Sequence, residues 1–152
     1  MKIKEAVKLY LDQGTTIRVL FKDGVTKSYD VLNLAKKFPQ LNALKDRKLF
    51  LKGRLFGWSG VIWYDDLDIS VETVYEDGVT VDTDTEGLAI VIGYHIKQAR
   101  LHANLTQEEL AEKIKIDQAD LSRIEKGTAN PSVLTLARIA EGLGAHFSIS
   151  LR

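Results

Sequence analysis

Gln118, Ala119 and Ser122 carry the most distinctive chemistry in this chain: short polar or small side chains gathered at the start of a short helix. That pattern suits the reading of base edges in a DNA major groove. The helix that would carry them is the second of two. Thr106 can cap the first, with Gln107 in its opening turn and Glu109 placed to close a capping box. Leu110, Ala111 and Ile114 then share one face at the helical period. Lys115, Ile116 and Asp117 break the pattern, and Asp117 can cap a second helix that buries Leu121 and Ile124. Gln118, Ala119 and Ser122 are left on its outer face. The pattern alone also fits a plain corner between two bundle helices.

Three pieces at fixed spacing go further: Gln107–Ala111, Leu121–Gly127 and Asn130–Ser132. With them, the stretch from about Ile92 to Leu143 resembles the phage-repressor helix-turn-helix family of lambda-like repressors and Cro proteins. The resemblance implies an all-α domain that binds double-stranded DNA, with Gln107 on a phosphate and Gln118 reading adenine. It places Ala119 against a thymine methyl, Ser122 on a base or phosphate, and Arg123 on guanine or the backbone. Lys126, Thr128 and Asn130, after the second helix, would hold the DNA backbone, with Lys113 and Lys115 adding charge. It also implies that Arg100, seven residues before Gln107, pairs with Glu125 as scaffold rather than as a reader. Two positions depart from the family pattern. Asp120 stands where a small hydroxyl residue is common, either facing DNA or closing the Asp117 cap. Asn104 replaces the usual glycine of a left-handed turn, a conformation asparagine tolerates.

The elements around this motif form two domains. The chain has 152 residues, an ordinary apolar fraction and no cysteine, so disulfide and thiol chemistry are excluded. No apolar run reaches membrane-spanning length, and a cytoplasmic protein without membrane attachment is expected. Formal net charge is zero; residues 88–152 hold 8 basic and 7 acidic side chains, barely basic for a DNA-binding domain. Useful affinity therefore needs those charges on one face, or a homodimer.

Residues 1–76 read as a small α+β domain with antiparallel hairpins and short helices. Strands are expected over 3–10, 16–21 and 25–29, the last two joined at Lys22–Gly24. Asp30 can cap a helix ended by Pro39, another helical stretch covers 41–50, a hairpin joins 54–56 to 61–64, and a helical turn follows Ser70. Through Val19–Gly24, Gly60–Trp63 and Asp68–Tyr75, this part resembles a small bacterial domain family of uncharacterised function. Some members of that family look like partners in toxin–antitoxin operons, and fusions to a repressor-like domain occur. Residues 77–87 are acidic and rich in Thr and Gly, which suggests a linker. Residues 145–151 alternate, with Phe147, Ile149 and Leu151 on one face. They read as a terminal strand of the helical domain, 88–152, pairing with the first domain's sheet or with a twin in a second subunit.

Other candidate sites have plainer readings. His95 and His102 lack a third ligand at metal spacing and read as helix-surface residues, so no metal or cofactor is expected. Asp65, Asp66 and Asp68 read as turn and cap residues, and Asp82, Asp84 and Glu86 as a solvated run. Trp63 belongs to a core, while Trp58 at a hairpin tip suits either packing or a partner interface. No acid, base and oxyanion site assemble, so no enzyme is expected. The function expected is a homodimeric transcriptional regulator, a repressor or antitoxin-like autoregulator, reading a pseudo-palindromic operator. The alternative is an interaction module whose first domain binds a toxin-like partner while the helical domain mainly dimerises.

Overall fold

The computed structural model describes residues 3–151. They form two compact units that divide between Thr83 and Asp84.

The first unit holds two antiparallel sheets. In one, β1 (Ala6–Leu11), β2 (Thr16–Phe21), β3 (Thr26–Asp30) and β7 (Val79–Val81) lie side by side in that order. In the other, β4 (Arg54–Phe56), β5 (Gly60–Tyr64) and β6 (Leu67–Ser70) form a meander. Period-two alternation turns Ile17, Val19 and Phe21 of β2, and Val61 and Trp63 of β5, into a common core with Leu41, Leu44 and Phe50. The Trp63 indole meets its need for an acceptor by donating to the Phe50 carbonyl at 2.9 Å. Helix α1 (Arg47–Phe50) is capped by Asp46, and α2 (Val71–Asp77) by Ser70, whose hydroxyl accepts from the Glu72 amide.

Several expectations are corrected here. The helix after Asp30 is one 3-10 stretch, Val31–Leu34, and Pro39 opens a second, Pro39–Lys45, instead of only ending the first. Proline's fixed φ and missing N–H suit a helix's first position as well as its end. Asp68, expected to serve a turn or cap, lies within strand β6. The expected linker over 77–87 is largely structured. Val79, Thr80 and Val81 pair with Ser28, Lys27 and Thr26, and the Thr83 hydroxyl donates to the Gly24 carbonyl at 2.7 Å. A β-branched triplet suits a strand even when the residues around it are acidic. Asp84 then accepts from the Gly87 amide at 2.7 Å and starts the next helix at Thr85.

The second unit consists of α3 (Thr85–His102), α4 (Gln107–Ile114), α5 (Gln118–Glu125) and α6 (Val133–Gly142). Leu110, Ala111, Ile114, Leu121, Ile124 and Ile139 form its core, with Ile96 and Leu105 packed against them. None of the described helices is long and apolar enough to cross a membrane. Residues 145–151 make no strand ladder, because the described residues of this unit offer no sheet edge for them to join. Ile149 and Leu151 remain exposed.

Candidate nucleic-acid interface

The two helices of the motif are fixed by local chemistry before any long-range contact. The Thr106 hydroxyl accepts from the Glu109 amide at 3.1 Å, and Glu109 reaches back to the Thr106 amide, completing the capping box at the start of α4. Lys115 ends α4 in the left-handed conformation, φ 59°, while the Ile116 amide donates to the Ala111 carbonyl. Asn104 adopts φ 55° after α3, the left-handed turn expected of it. Asp117 stands at the start of α5, but its side chain accepts no capping bond; the backbone closure at Ile116 already fixes the turn. An anchor absent from the sequence reading comes from α6, where Arg138 donates to the Ile114 carbonyl at the end of α4.

The approach of α3 to α5 is set by missing side-chain bulk. A Cβ on Gly93 would fall on the carbonyl oxygens of Ile124 and Glu125. A Cβ on Gly127, itself at φ +72°, would lie 2.6 Å from the Ile90 Cα. The end of α5 is therefore pressed against α3 at backbone distance.

At this crossing Arg100 and Glu125 are both buried. The Arg100 Nε donates to Glu125 Oε1 at 2.6 Å and Nη2 to Oε2 at 3.1 Å, the fork geometry of a two-point ion pair. Its Nη1 donates to the Leu105 carbonyl at 2.8 Å, tying in the loop before α4. The Glu125 hydrogen bond, more than its charge, holds the Arg100 proton more firmly than usual.

From Glu125 the bonds continue outward. Gln107 Nε2 donates to Glu125 Oε2 at 2.8 Å, and Gln118 Nε2 donates to Gln107 Oε1 at 2.8 Å. A carboxylate only accepts, so Gln107 must turn its NH2 toward Glu125 and its oxygen away. That oxygen in turn requires the NH2 of Gln118. One buried charge thus sets the orientation of two successive amides, leaving the Gln118 oxygen and a second N–H unclaimed by the relay. An oxygen acceptor beside an N–H donor can engage the N6 and N7 edge of adenine.

Apart from Trp58, the remaining predicted residues lie on α4 and α5 or in the turns that follow them. Ala119, Arg123 and Lys126 are exposed on or just after α5, and Ser122 is half-buried. Thr128 donates through both its amide and its hydroxyl to the Arg123 carbonyl, so it closes the end of α5. Asn130 is exposed in the following loop, and Lys113 and Lys115 are exposed at the end of α4. Asp120 does not close the Asp117 cap; its carboxylate pairs with Arg123 on the helix surface. Opposite charges three residues apart were a legible signal for that pair. Trp58 lies in the first unit, half exposed at the β4–β5 turn.

Two family models match the chain: one described as a helix-turn-helix, over residues 96–149, and one described as a protein of unknown function (DUF2442), over residues 6–80. An uncharacterised HTH-type transcriptional regulator of Bacillus subtilis (strain 168), YqaF, is 41% identical over 36% of this chain and 71% of its own length. The immunity repressor protein of Bacillus phage phi105 is 39% identical over 39% of this chain; the match spans only 41% of that repressor. A solved structure, the putative DNA binding protein NE0471 from Nitrosomonas europaea, aligns over 91% of this chain and 86% of its own, at 18% identity and a TM-score of 0.44.

Proposed function

We propose that this chain, which belongs to the helix-turn-helix family of transcriptional regulators, reads a pseudo-palindromic operator as a homodimer with α5 in the major groove. The observation that carries this reading is the relay from Arg100 through Glu125 and Gln107 to Gln118. It presents Gln118 to an adenine already oriented, while the second N–H of Gln107 is directed to a phosphate. Ala119 meets a thymine methyl and Ser122 a base or phosphate. Arg123, Lys126, Thr128 and Asn130 continue the contact along the groove edge and backbone, with Lys113 and Lys115 adding positive charge.

Dimerisation compensates for the weak net charge, because two half-sites double the phosphate contacts. The segment 145–151 supports a second copy as its partner. It is uncharged, alternates strictly and has no strand to join within its own unit. Antiparallel pairing about a two-fold axis at Ser148 sets Phe147 opposite Ile149 of the partner subunit, apolar against apolar, with no like charges facing.

An electrophoretic shift with DNA from upstream of the chain's own gene tests the reading. Gln118→Ala should weaken binding on the order of tenfold. Binding indifferent to that change removes Gln118 as a reader.

One observation favours an additional role for the first unit as a partner-binding module, as in an antitoxin. Phe56 stands opposite Gly60 on the same face of the β4–β5 hairpin as Tyr64, and Phe56, Trp58 and Tyr64 are all well exposed. Exposed aromatic clusters of this kind anchor protein partners. Co-expression with the product of an adjacent reading frame, with and without Trp58→Ala, tests this role; co-purification that ignores the substitution excludes the aromatic face.

A further inference from the structure

The exposed ion pair on α5 has no evident use in folding. Arg123 Nη2 meets Asp120 Oδ1 with side chains 62% and 49% accessible, and solvent-exposed pairs of this kind contribute little to stability. Its position is more telling. At about 100° per residue, Ser122 lies about 40° around the helix from Gln118, Arg123 about 140° and Asp120 about 200°. The proposed reading face is thus bounded on one side by Arg123, and Asp120 lies beyond it, on the side away from Gln118.

A guanidinium offers five N–H donors in a fixed plane. Asp120 engages Nη2, and a guanidinium held on one edge keeps donors enough for a second, forked contact on another. Guanine presents two acceptors, O6 and N7, spaced for such a fork. A phosphate would also attract Arg123, but reaching for it abandons Asp120 and leaves a carboxylate unpaired beside the DNA backbone.

We propose that Asp120 is a positioning residue for base recognition: it fixes the Arg123 guanidinium at the edge of the reading face, for a guanine in each half-site, and penalises the sequence-independent contact to phosphate. The inference rests on the reading of α5 as the major-groove helix. Asp120 thereby trades total affinity for discrimination, in keeping with a domain whose net charge is barely basic. Arg123 becomes a specific reader because its neighbour is acidic, not in spite of it.

The test is selection of binding sites from a randomised double-stranded DNA library by the full chain and by Asp120→Ala, Asp120→Glu and Arg123→Ala. Sites selected by the unsubstituted chain should hold guanine at one fixed position per half-site, with a preference on the order of tenfold or more. Arg123→Ala and Asp120→Ala should each flatten that same position and leave the adenine under Gln118 in place. Asp120→Glu, still able to reach Arg123, should restore it. On a fixed non-operator duplex, Asp120→Ala should bind more tightly, with a log–log salt slope steeper by about one unit. A purely structural role would lower thermal stability and weaken all sequences together, which overturns the proposal. So does a guanine preference that survives Asp120→Ala, or the absence of any position that responds to Arg123→Ala. If the folded, unsubstituted chain enriches no sequence, operator reading itself fails, a result distinct from each of these.

Discussion

The Glu125 carboxylate holds the amide nitrogen of Gln107 at 2.8 Å, and this bond decides which ends of two glutamines face outward. Glu125 is the last residue of α5 and is buried against Arg100 of α3. Stability and recognition are therefore joined in one side chain. Both of its oxygens bind Arg100 and lock the helix crossing, and Oε2 also begins the relay to Gln118.

Replacing Glu125 by alanine leaves the Arg100 guanidinium buried without its fork partner. Removing one member of a buried pair costs about 3–5 kcal/mol. Chemical denaturation should show a loss of that size for the helical unit. Arg100→Ala should cost a similar amount, and the double substitution less than the sum, because the two charges act as one unit. Additive losses would mean that the pair is not coupled.

Gln107→Glu reverses the polarity of the relay at its middle member. The new carboxylate cannot donate to Glu125, so the relay loses its polarity and two negative groups face each other. Repulsion from the buried Glu125 should also lower the unfolding midpoint, so binding is measured at a temperature where the variant is fully folded. Operator binding should fall at least tenfold, from lost orientation of Gln118 and repulsion of the phosphate together. Titration of labelled operator at fixed salt checks this; undiminished affinity would show that the relay does not orient the reader.

Gly93→Ala tests the close crossing of α3 and α5. A methyl group there meets backbone oxygen of Ile124 and Glu125, which cannot rotate away. Overpacking of this kind typically costs about 1–3 kcal/mol, offset only in part by alanine's better helix propensity. Thermal unfolding should shift downward, and operator affinity should fall as the end of α5 is displaced. Unchanged melting would show that α3 and α5 do not meet at backbone distance.

Much of the motif was legible because its signals are local. Thr106 and Glu109 form a capping box three residues apart, and Asn104 sits in a left-handed turn that few other residues accept. The Arg100–Glu125 pair, 25 residues apart, could be anticipated only through the family pattern, since nothing in residue spacing brings the two together. Elements that depend on distant partners were hidden. Val79–Val81 is three residues long and becomes a strand only because β3 offers it an edge. Nothing local marks Arg138 as an anchor; its bond to the Ile114 carbonyl exists only because α6 packs against α4.

The tail provides the sharpest test of the dimer. In an antiparallel pair centred on Ser148, that residue stands opposite its own copy, with Cα atoms about 4.5–5.5 Å apart. That separation lies within the range a disulfide spans. The chain has no cysteine, so Ser148→Cys introduces a single thiol with one possible partner, its twin. Mild oxidation should convert Ser148→Cys to a covalent dimer that retains operator binding. Phe147→Cys should cross-link poorly, because its counterpart is Ile149 of the partner subunit. Ile149→Asp should lower the dimer fraction in sedimentation at fixed concentration, since it places a charge on the apolar face of the ladder. Equal cross-linking at 147 and 148, or no cross-linking in a chain that sediments as a dimer, would rule out this register and move the dimer contact elsewhere on the helical unit.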